Sequence, residues 1–234
     1  GRMGYAMADR LIDAGADVTV WNRTLAKAEP LAEKGAKIVG SPSELVDRDV
    51  VFTIVAGPAD FIEVTTGENG LLSQGGQTPS MLIDCTTISE EASRQVREYA
   101  AGVGTSMIDA PVSGSAKVVV AGKLSFVVSG EPTAYERAKP LLESLGQGVS
   151  YVGEGELARM VKICHNIMLG VVAQTLAEIT VLAEKGGVPR HAFLDFINKS
   201  VMGSPFSAYK TPAYVNLDMT PTFTPVLLRK DMDL

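Results

Sequence analysis

Strand-length apolar runs alternate with helical patterns from residue 18 to residue 152, and no other feature of the chain limits its fold so tightly. Strands are expected at Val18–Trp21, Lys37–Val39, Val50–Ala56, Met81–Asp84 and Ser106–Asp109. Helical patterns fall between most of them, at Leu25–Lys34, Pro42–Val46, Ala59–Val64 and Glu90–Ala101. A strand at Leu124–Ser129, a helix over Thr133–Leu145 and a strand at Val149–Val152 continue the series. A helical crossover delivers the next strand in the same direction, so this alternation predicts an α/β domain with a mostly parallel sheet covered on both faces. Near Gly153-Glu154-Gly155 the pattern changes. One long helix is expected from about Glu156 to Lys185, interrupted only by Gly170 and stopped by Gly186-Gly187; another runs from Pro189 to about Lys199. The expected division is a domain over 1–153 and an all-helical region over 154–234. Arg229-Lys230-Asp231-Met232 reads as the start of a further helix, so the helical region is expected to continue past the last residue.

The chain opens Gly1-Arg2-Met3-Gly4, directly before an amphipathic helix expected over Tyr5–Ala14 and ended by Gly15. Gly1 and Gly4 fit the second and third glycines of a Gly-x-Gly-x-x-Gly turn whose first glycine, and the strand before it, would precede residue 1. In such a turn one glycine lets backbone approach a pyrophosphate and the next lets the helix pack on the sheet; the helix N–H groups point at the phosphates. The same spacing also suits an ordinary helix start. With the alternation, it specifies the doubly wound, Rossmann-type arrangement. The strand that follows ends in Asn22-Arg23-Thr24, about twenty residues on, where such folds read the adenine ribose. An acid there would bond the ribose hydroxyls and repel a 2′-phosphate. A guanidinium and a hydroxyl suit that phosphate instead, which favours NADP(H) over NAD(H). The plainer alternative is that Arg23 is a solvated turn residue.

Composition narrows the partners. Net charge is −6 with no long basic run, so nucleic acid is not expected. The apolar segment over 167–177 is short for a bilayer and runs into Glu178, so no membrane partner is expected either. Cys85 and Cys164 make neither a disulfide framework nor a metal site; both are expected as small core residues in a reducing cytoplasm.

Four segments could carry chemistry. Val55-Ala56-Gly57-Pro58 follows a strand, at the edge where doubly wound sheets bind ligands. Asp84-Cys85-Thr86-Thr87-Ile88-Ser89 joins a strand to a helix, with Ser89 a good N-cap and Thr87 offering a hydroxyl. Asp109-Ala110-Pro111-Val112-Ser113-Gly114-Ser115 exposes backbone N–H groups in a Ser-Gly turn suited to a carboxylate. Each also reads as an ordinary turn. In the fourth segment, Lys162 and Asn166 stand four apart on one helix face amid Val161, Ile163 and Ile167. A lysine there either snorkels to water or is functional. His165 and His191 are given no catalytic role. Met202 to Phe206 is expected as a loop able to line a pocket.

Gly-Arg-Met-Gly at 1–4, Asn-Arg-Thr at 22–24, Asp-Cys-Thr-Thr-Ile at 84–88, Asp-Ala-Pro-Val-Ser-Gly at 109–114, Lys162 with Asn166, and Lys230-Asp231 together resemble the β-hydroxyacid dehydrogenase family, over essentially the whole chain. That family includes 3-hydroxyisobutyrate, tartronate semialdehyde and glyoxylate/succinic semialdehyde enzymes. The resemblance implies a nucleotide-binding domain, an all-α domain and an active site between them. It implies that Lys162 is the catalytic acid/base and that Ser113, Gly114 and Asn166 bind a small carboxylate-bearing substrate. Gly1, Arg2, Met3, Asn22, Arg23, Thr24, Val55, Ala56, Thr87 and Lys230 fall to the cofactor. It also implies a homo-oligomer paired through the helical domain. Ser115 departs from the family's second glycine after Ser-Gly, and Val55-Ala56 from its Leu-Pro. The implied reaction is NADP(H)-dependent interconversion of a short β-hydroxyacid and its semialdehyde, although an incomplete chain need not be active by itself. The alternatives are an imine reductase-like enzyme, against which Lys162 argues, and a non-catalytic NADPH-binding protein.

Overall fold

In the computed structural model, residues 1–73, 75–218, 220 and 224–233 are described. The chain forms two compact units, Gly1–Lys162 and Ile163–Asp233.

The first unit is built on parallel pairing. Strand β1 (Thr19–Val20) pairs with β2 (Lys37–Ile38), and β3 (Val50–Thr53), β4 (Met81–Asp84) and β5 (Ser106–Asp109) form a three-stranded parallel sheet in that order. A third sheet holds β6 (Val112–Ser113), β7 (Leu124–Val128) and β8 (Gly146–Tyr151); β6 runs antiparallel to β7, and β8 parallel to it. Side chains alternate across β4. Met81 and Ile83 join a core with Met7 of helix α1 (Arg2–Asp13) and Leu142 of α6 (Pro132–Leu145). Leu82 faces the other way, with Phe61 of α3 (Pro58–Thr66) and Val96 of α4 (Glu90–Gly102). Both faces are therefore covered, as a parallel sheet joined by helical crossovers requires. This is the Rossmann-like arrangement expected. A cleft of about 560 Å³ is lined by Met7 and Leu11 of α1, Thr19 and Val20 of β1, and Val50 and Phe52 of β3.

Several local expectations shift. Leu25–Lys34, expected as one helix, divides into a 3-10 turn over Leu25–Lys27 and a single turn, α2 (Glu29–Ala32). Pro30 has no N–H to continue a helix and sits instead in the first turn of a new one. Pro42–Leu45 is 3-10 rather than α. The short strand β6 and α5 (Ala116–Val120) lie where only a Ser-Gly turn was expected.

In the second unit, α7 (Leu157–Lys185), which begins in the first, is followed by α8 (Arg190–Lys199), α9 (Pro205–Asn216) and α10 (Pro225–Met232). Pro205 and Phe206, expected in a loop, open α9: Ser204 caps it by accepting from the Ser207 amide at 3.1 Å, with proline following the cap. Gly170 interrupts nothing. A Cβ there would lie 3.1 Å from Leu228, so its lack of a side chain admits α10 against α7. By length and composition α7 could cross a membrane, with a mean hydropathy of 1.6 over its most apolar window, because the apolar run extends beyond the segment counted from the sequence. Met168, Val171 and Leu182 on it are exposed. Cys164 is exposed too, contrary to the core position expected, whereas Cys85 is buried and its burial pushes the thiol well above its ordinary pKa.

Candidate functional site

Two strands of the central sheet end alike, Met-Leu-Ile-Asp at 81–84 and Ser-Met-Ile-Asp at 106–109. Parallel register places Thr53, Asp84 and Asp109 side by side at the carboxyl ends of β3, β4 and β5. Both carboxyls are fully buried. Charges so placed demand a counter-ion and hydrogen bonds. Arg159, in the first turn of α7 and 1% exposed, supplies them. One terminal nitrogen donates to Asp84 Oδ2 at 2.8 Å and to Asp109 Oδ1 at 2.6 Å; the other donates to the Thr86 carbonyl at 2.6 Å. Asp84 Oδ1 also accepts from the hydroxyls of Thr53 (2.6 Å) and Thr86 (2.7 Å). The Thr86 hydroxyl in turn accepts from the Val55 amide at 3.1 Å.

The network extends to Arg97, which contacts Asp109 Oδ2 at 2.7 Å and donates to Glu156 Oε1 at 2.8 Å. Burial pushes the Asp109 carboxyl up to about 7 against the pull of Arg159 and Arg97, and the nearby Glu156 adds to the rise. Burial would raise Glu156 as well, but hydrogen bonds with Arg97, Asp109 and Ser93 outweigh it and hold that carboxyl at about 2. Burial works to lower Arg159, and the attraction of Asp109 and Asp84 raises it overall.

The expected cofactor residues of the first unit fall into two groups. The Gly1 nitrogen donates to Asn22 Oδ1 at 2.8 Å, and Asn22 Nδ2 to the Thr24 carbonyl at 2.7 Å, so the helix start meets the turn after β1. Helix α1 has no side-chain cap, and Arg2 is exposed at its first position. Gly4 lies against Ile54, where a Cβ would come to 3.0 Å; Met3 packs on the core. Uncapped helical N–H groups, a close-packed glycine and an arginine fit a dinucleotide phosphate. Arg23 is 79% exposed and bonds Asp60 Oδ1 at 2.9 Å. Asp60 therefore brings to this turn a negative charge that residues 22–24 lack. In the second group, Val55 is tied to Thr86, next to half-buried Thr87; Ala56 is exposed.

Ser113 is half-buried on β6, paired with Ser125, and Gly114 follows at φ +142°. A Cβ at Gly114 would meet Val118 at 2.8 Å, so only glycine fits. Lys162 is half-buried, one helical turn beyond Arg159. In the second unit Asn166 is 4% exposed and its amide donates to Asp231 Oδ2 at 2.7 Å. Asn166 Oδ1 lies 3.0 Å from His165 Nδ1. Lys230 Nζ approaches Asp231 Oδ1 at 2.8 Å, a charge contact without hydrogen-bond alignment.

Residue-by-residue reading of the sequence missed Arg159, Asp84, Asp109 and Asp231. The repeated Ile-Asp strand ending was the available signal for the acids: adjacent parallel strands that end alike place like charges together. For Asp231 the signal was its place beside Lys230.

Comparison with known proteins bears on this arrangement. Residues 1–153 match the family model described as the NAD binding domain of 6-phosphogluconate dehydrogenase. Residues 156–234 match that of the NAD-binding of NADP-dependent 3-hydroxyisobutyrate dehydrogenase. The chain is 33% identical to the chloroplastic glyoxylate/succinic semialdehyde reductase 2 of Arabidopsis thaliana, over all of this chain and 65% of that protein. It is 33% identical to 3-hydroxyisobutyrate dehydrogenase of Pseudomonas aeruginosa, over 87% of this chain and 68% of the relative. The chain thus spans about two thirds of the length of these relatives. A Mycobacterium tuberculosis 3-hydroxyisobutyrate dehydrogenase solved with L-serine superposes with a TM-score of 0.84 at 29% identity, covering 99% of this chain and 81% of that one.

Proposed function

This chain belongs to the β-hydroxyacid dehydrogenase family, and on that footing we propose that it interconverts a short β-hydroxyacid and its semialdehyde with NADP(H), Lys162 moving the proton. The observation that carries this reading is the hydrogen bond joining the Val55 and Thr86 loops at the carboxyl edge of a parallel sheet, the edge from which α7 sets out toward Lys162. When bound, the nicotinamide supplies or accepts the hydride. Lys162 gives a proton to the substrate oxygen on reduction and takes it back on oxidation. A lysine performs both near neutral pH once desolvation or a neighbouring cation brings its pKa down from about 10.4. The Ser113 hydroxyl and Gly114 N–H hold the substrate carboxylate. Asn166, whose amide donates to Asp231 Oδ2 at 2.7 Å, is assigned to substrate binding by the family resemblance. Arg23 selects NADP(H): its exposed pairing with Asp60 is weak enough for a 2′-phosphate to displace. Lys230, whose Nζ lies 2.8 Å from Asp231 Oδ1, is assigned to the cofactor by the family resemblance alone. The exposed apolar residues Met168, Val171 and Leu182 of α7 suit pairing with a second copy. A reducing cytoplasm fits the two free thiols.

Lys162→Ala in the full chain tests the reaction. NADPH binding should persist while turnover of a panel of small semialdehydes falls by about 10²- to 10⁴-fold. Wild-type protein that binds NADPH yet reduces none of the panel would favour the non-catalytic alternative.

A further inference from the structure

We infer that Arg159 is a positioning residue, setting from one buried guanidinium both the loops expected to carry the cofactor and the helix that carries Lys162. The inference rests on the proposed reaction for its kinetic arm and on cofactor binding for the other.

The network is larger than charge neutralisation needs. Arg159 reaches the ends of β4 and β5 through Asp84 and Asp109, and the Thr86–Thr87 loop through the Thr86 carbonyl. Asp84 passes the constraint to β3 through the Thr53 hydroxyl and, by way of the Thr86 hydroxyl, to the Val55 amide. Thus Val55 and the residue preceding Thr87 answer to the same side chain. The helix start is fixed in the same place: the Ala158 amide donates to the Ser129 hydroxyl at 3.0 Å, and that hydroxyl donates to the Gly155 carbonyl at 2.7 Å.

Helical geometry carries this anchor to Lys162. A helix turns about 100° and rises ~1.5 Å per residue, so Lys162 stands ~4.5 Å along the axis and some 60° short of a full turn from Arg159. Any slip or rotation at the anchor moves the lysine with it. Only arginine suits the position: its planar fork serves two carboxylates and a carbonyl at once, which a lysine ammonium on a flexible stem cannot do in fixed geometry. Stability is a poor reason for such a cluster, because an apolar replacement of a buried ion pair commonly folds as well or better. Fixed register is what the cluster adds.

The test uses the full chain and three variants: Arg159→Lys, Thr86→Val and Thr86→Ser. Thermal melting, NADPH titration by fluorescence, and kcat and KM for a semialdehyde are measured on each. Thr86→Val keeps shape and removes the relay hydroxyl. It should weaken NADPH binding by about tenfold, the worth of one well-made hydrogen bond, while Thr86→Ser binds within about twofold of wild type. Arg159→Lys should lower kcat by about 100-fold, the cost of roughly 1 Å of misplacement, with KM changed less than about threefold. Lower melting temperatures with unchanged NADPH affinity and kcat would make the network a stability element and overturn the inference. If Arg159→Lys fails to fold, the Thr86 pair decides. If wild type reduces no semialdehyde, the proposed reaction falls and the NADPH titrations alone decide this inference.

Discussion

Replacing Arg159 with methionine strands Asp84. In the native protein that carboxylate is fully buried, with its Oδ2 held by the guanidinium at 2.8 Å. Methionine fills much of the same space and supplies no donor. Asp84 would keep the Thr53 and Thr86 hydroxyls, which ease the desolvation of one oxygen, and Asp109 would keep Arg97. Removing one partner of a buried pair costs about 3–5 kcal/mol, so a loss of that size is expected. For a protein of this length each kcal/mol moves the melting temperature by about 2–4 °C, which gives a fall of about 6–20 °C. Urea unfolding is the better measurement, since urea carries no charge and leaves the electrostatics unscreened. Trp21, the sole tryptophan, reports on the first unit. Adding Asp84→Asn to the variant should recover part of the loss. A deficit below about 1 kcal/mol at pH 7, or one that adding Asp84→Asn does not reduce, would refute the claim that a buried charge is held here.

Three further outcomes are expected. Native Asp109, raised to about 7, keeps a proton that the unfolded chain gives up above about pH 4; wild-type stability should therefore fall as pH rises from about 4 to about 7, and Asp109→Asn should flatten that limb in urea midpoints measured across it. Below about pH 4.5 the slope from Glu156 has the opposite sign, because its lowered pKa contributes stability that is lost as pH falls toward 2. Gly114→Ala combines φ +142° with a 2.8 Å approach to Val118 and should lower the unfolding free energy by about 1–3 kcal/mol; an unchanged midpoint would mean the turn relaxes freely. Arg23→Ala should raise the Kd for NADPH about tenfold while moving that for NADH less than twofold, and equal losses for both would show that Arg23 does not read the 2′-phosphate.

Much of the fold could be read from short stretches of chain. Met81–Asp84 and Ser106–Asp109 fall where apolar runs bounded by turn residues put them, and α4, α6, α7 and α8 begin and end within a few residues of their expected bounds. The failures have equally local causes. Leu25–Lys34 holds helix-forming residues around Pro30, and the missing N–H splits the segment. Val112–Ser113 is too short to show a period and becomes a strand only because Phe126 and Ser125 lie opposite. The cap and proline at Ser204-Pro205 were present and went unused. The site divides in the same way. Glycines, turn hydroxyls and the Lys162–Asn166 spacing announce themselves by position; the partners that hold them do not. Arg159 lies 75 residues from Asp84 and 50 from Asp109, and Asn166 lies 65 from Asp231.

What this sequence determined by itself is the order and kind of its elements, the change from alternating strands to helices near residue 155, and the residue types offered at each strand end. Those follow from periodicity, capping and turn chemistry, which act over a few residues. Tertiary structure alone decided that two identical strand endings become neighbours in register, that a guanidinium from the start of the long helix closes over both, and that Asn166 is oriented by Asp231. The physical reason is range: a buried charge chooses its partner by what the fold brings within about 3 Å, and no local rule of sequence carries that distance.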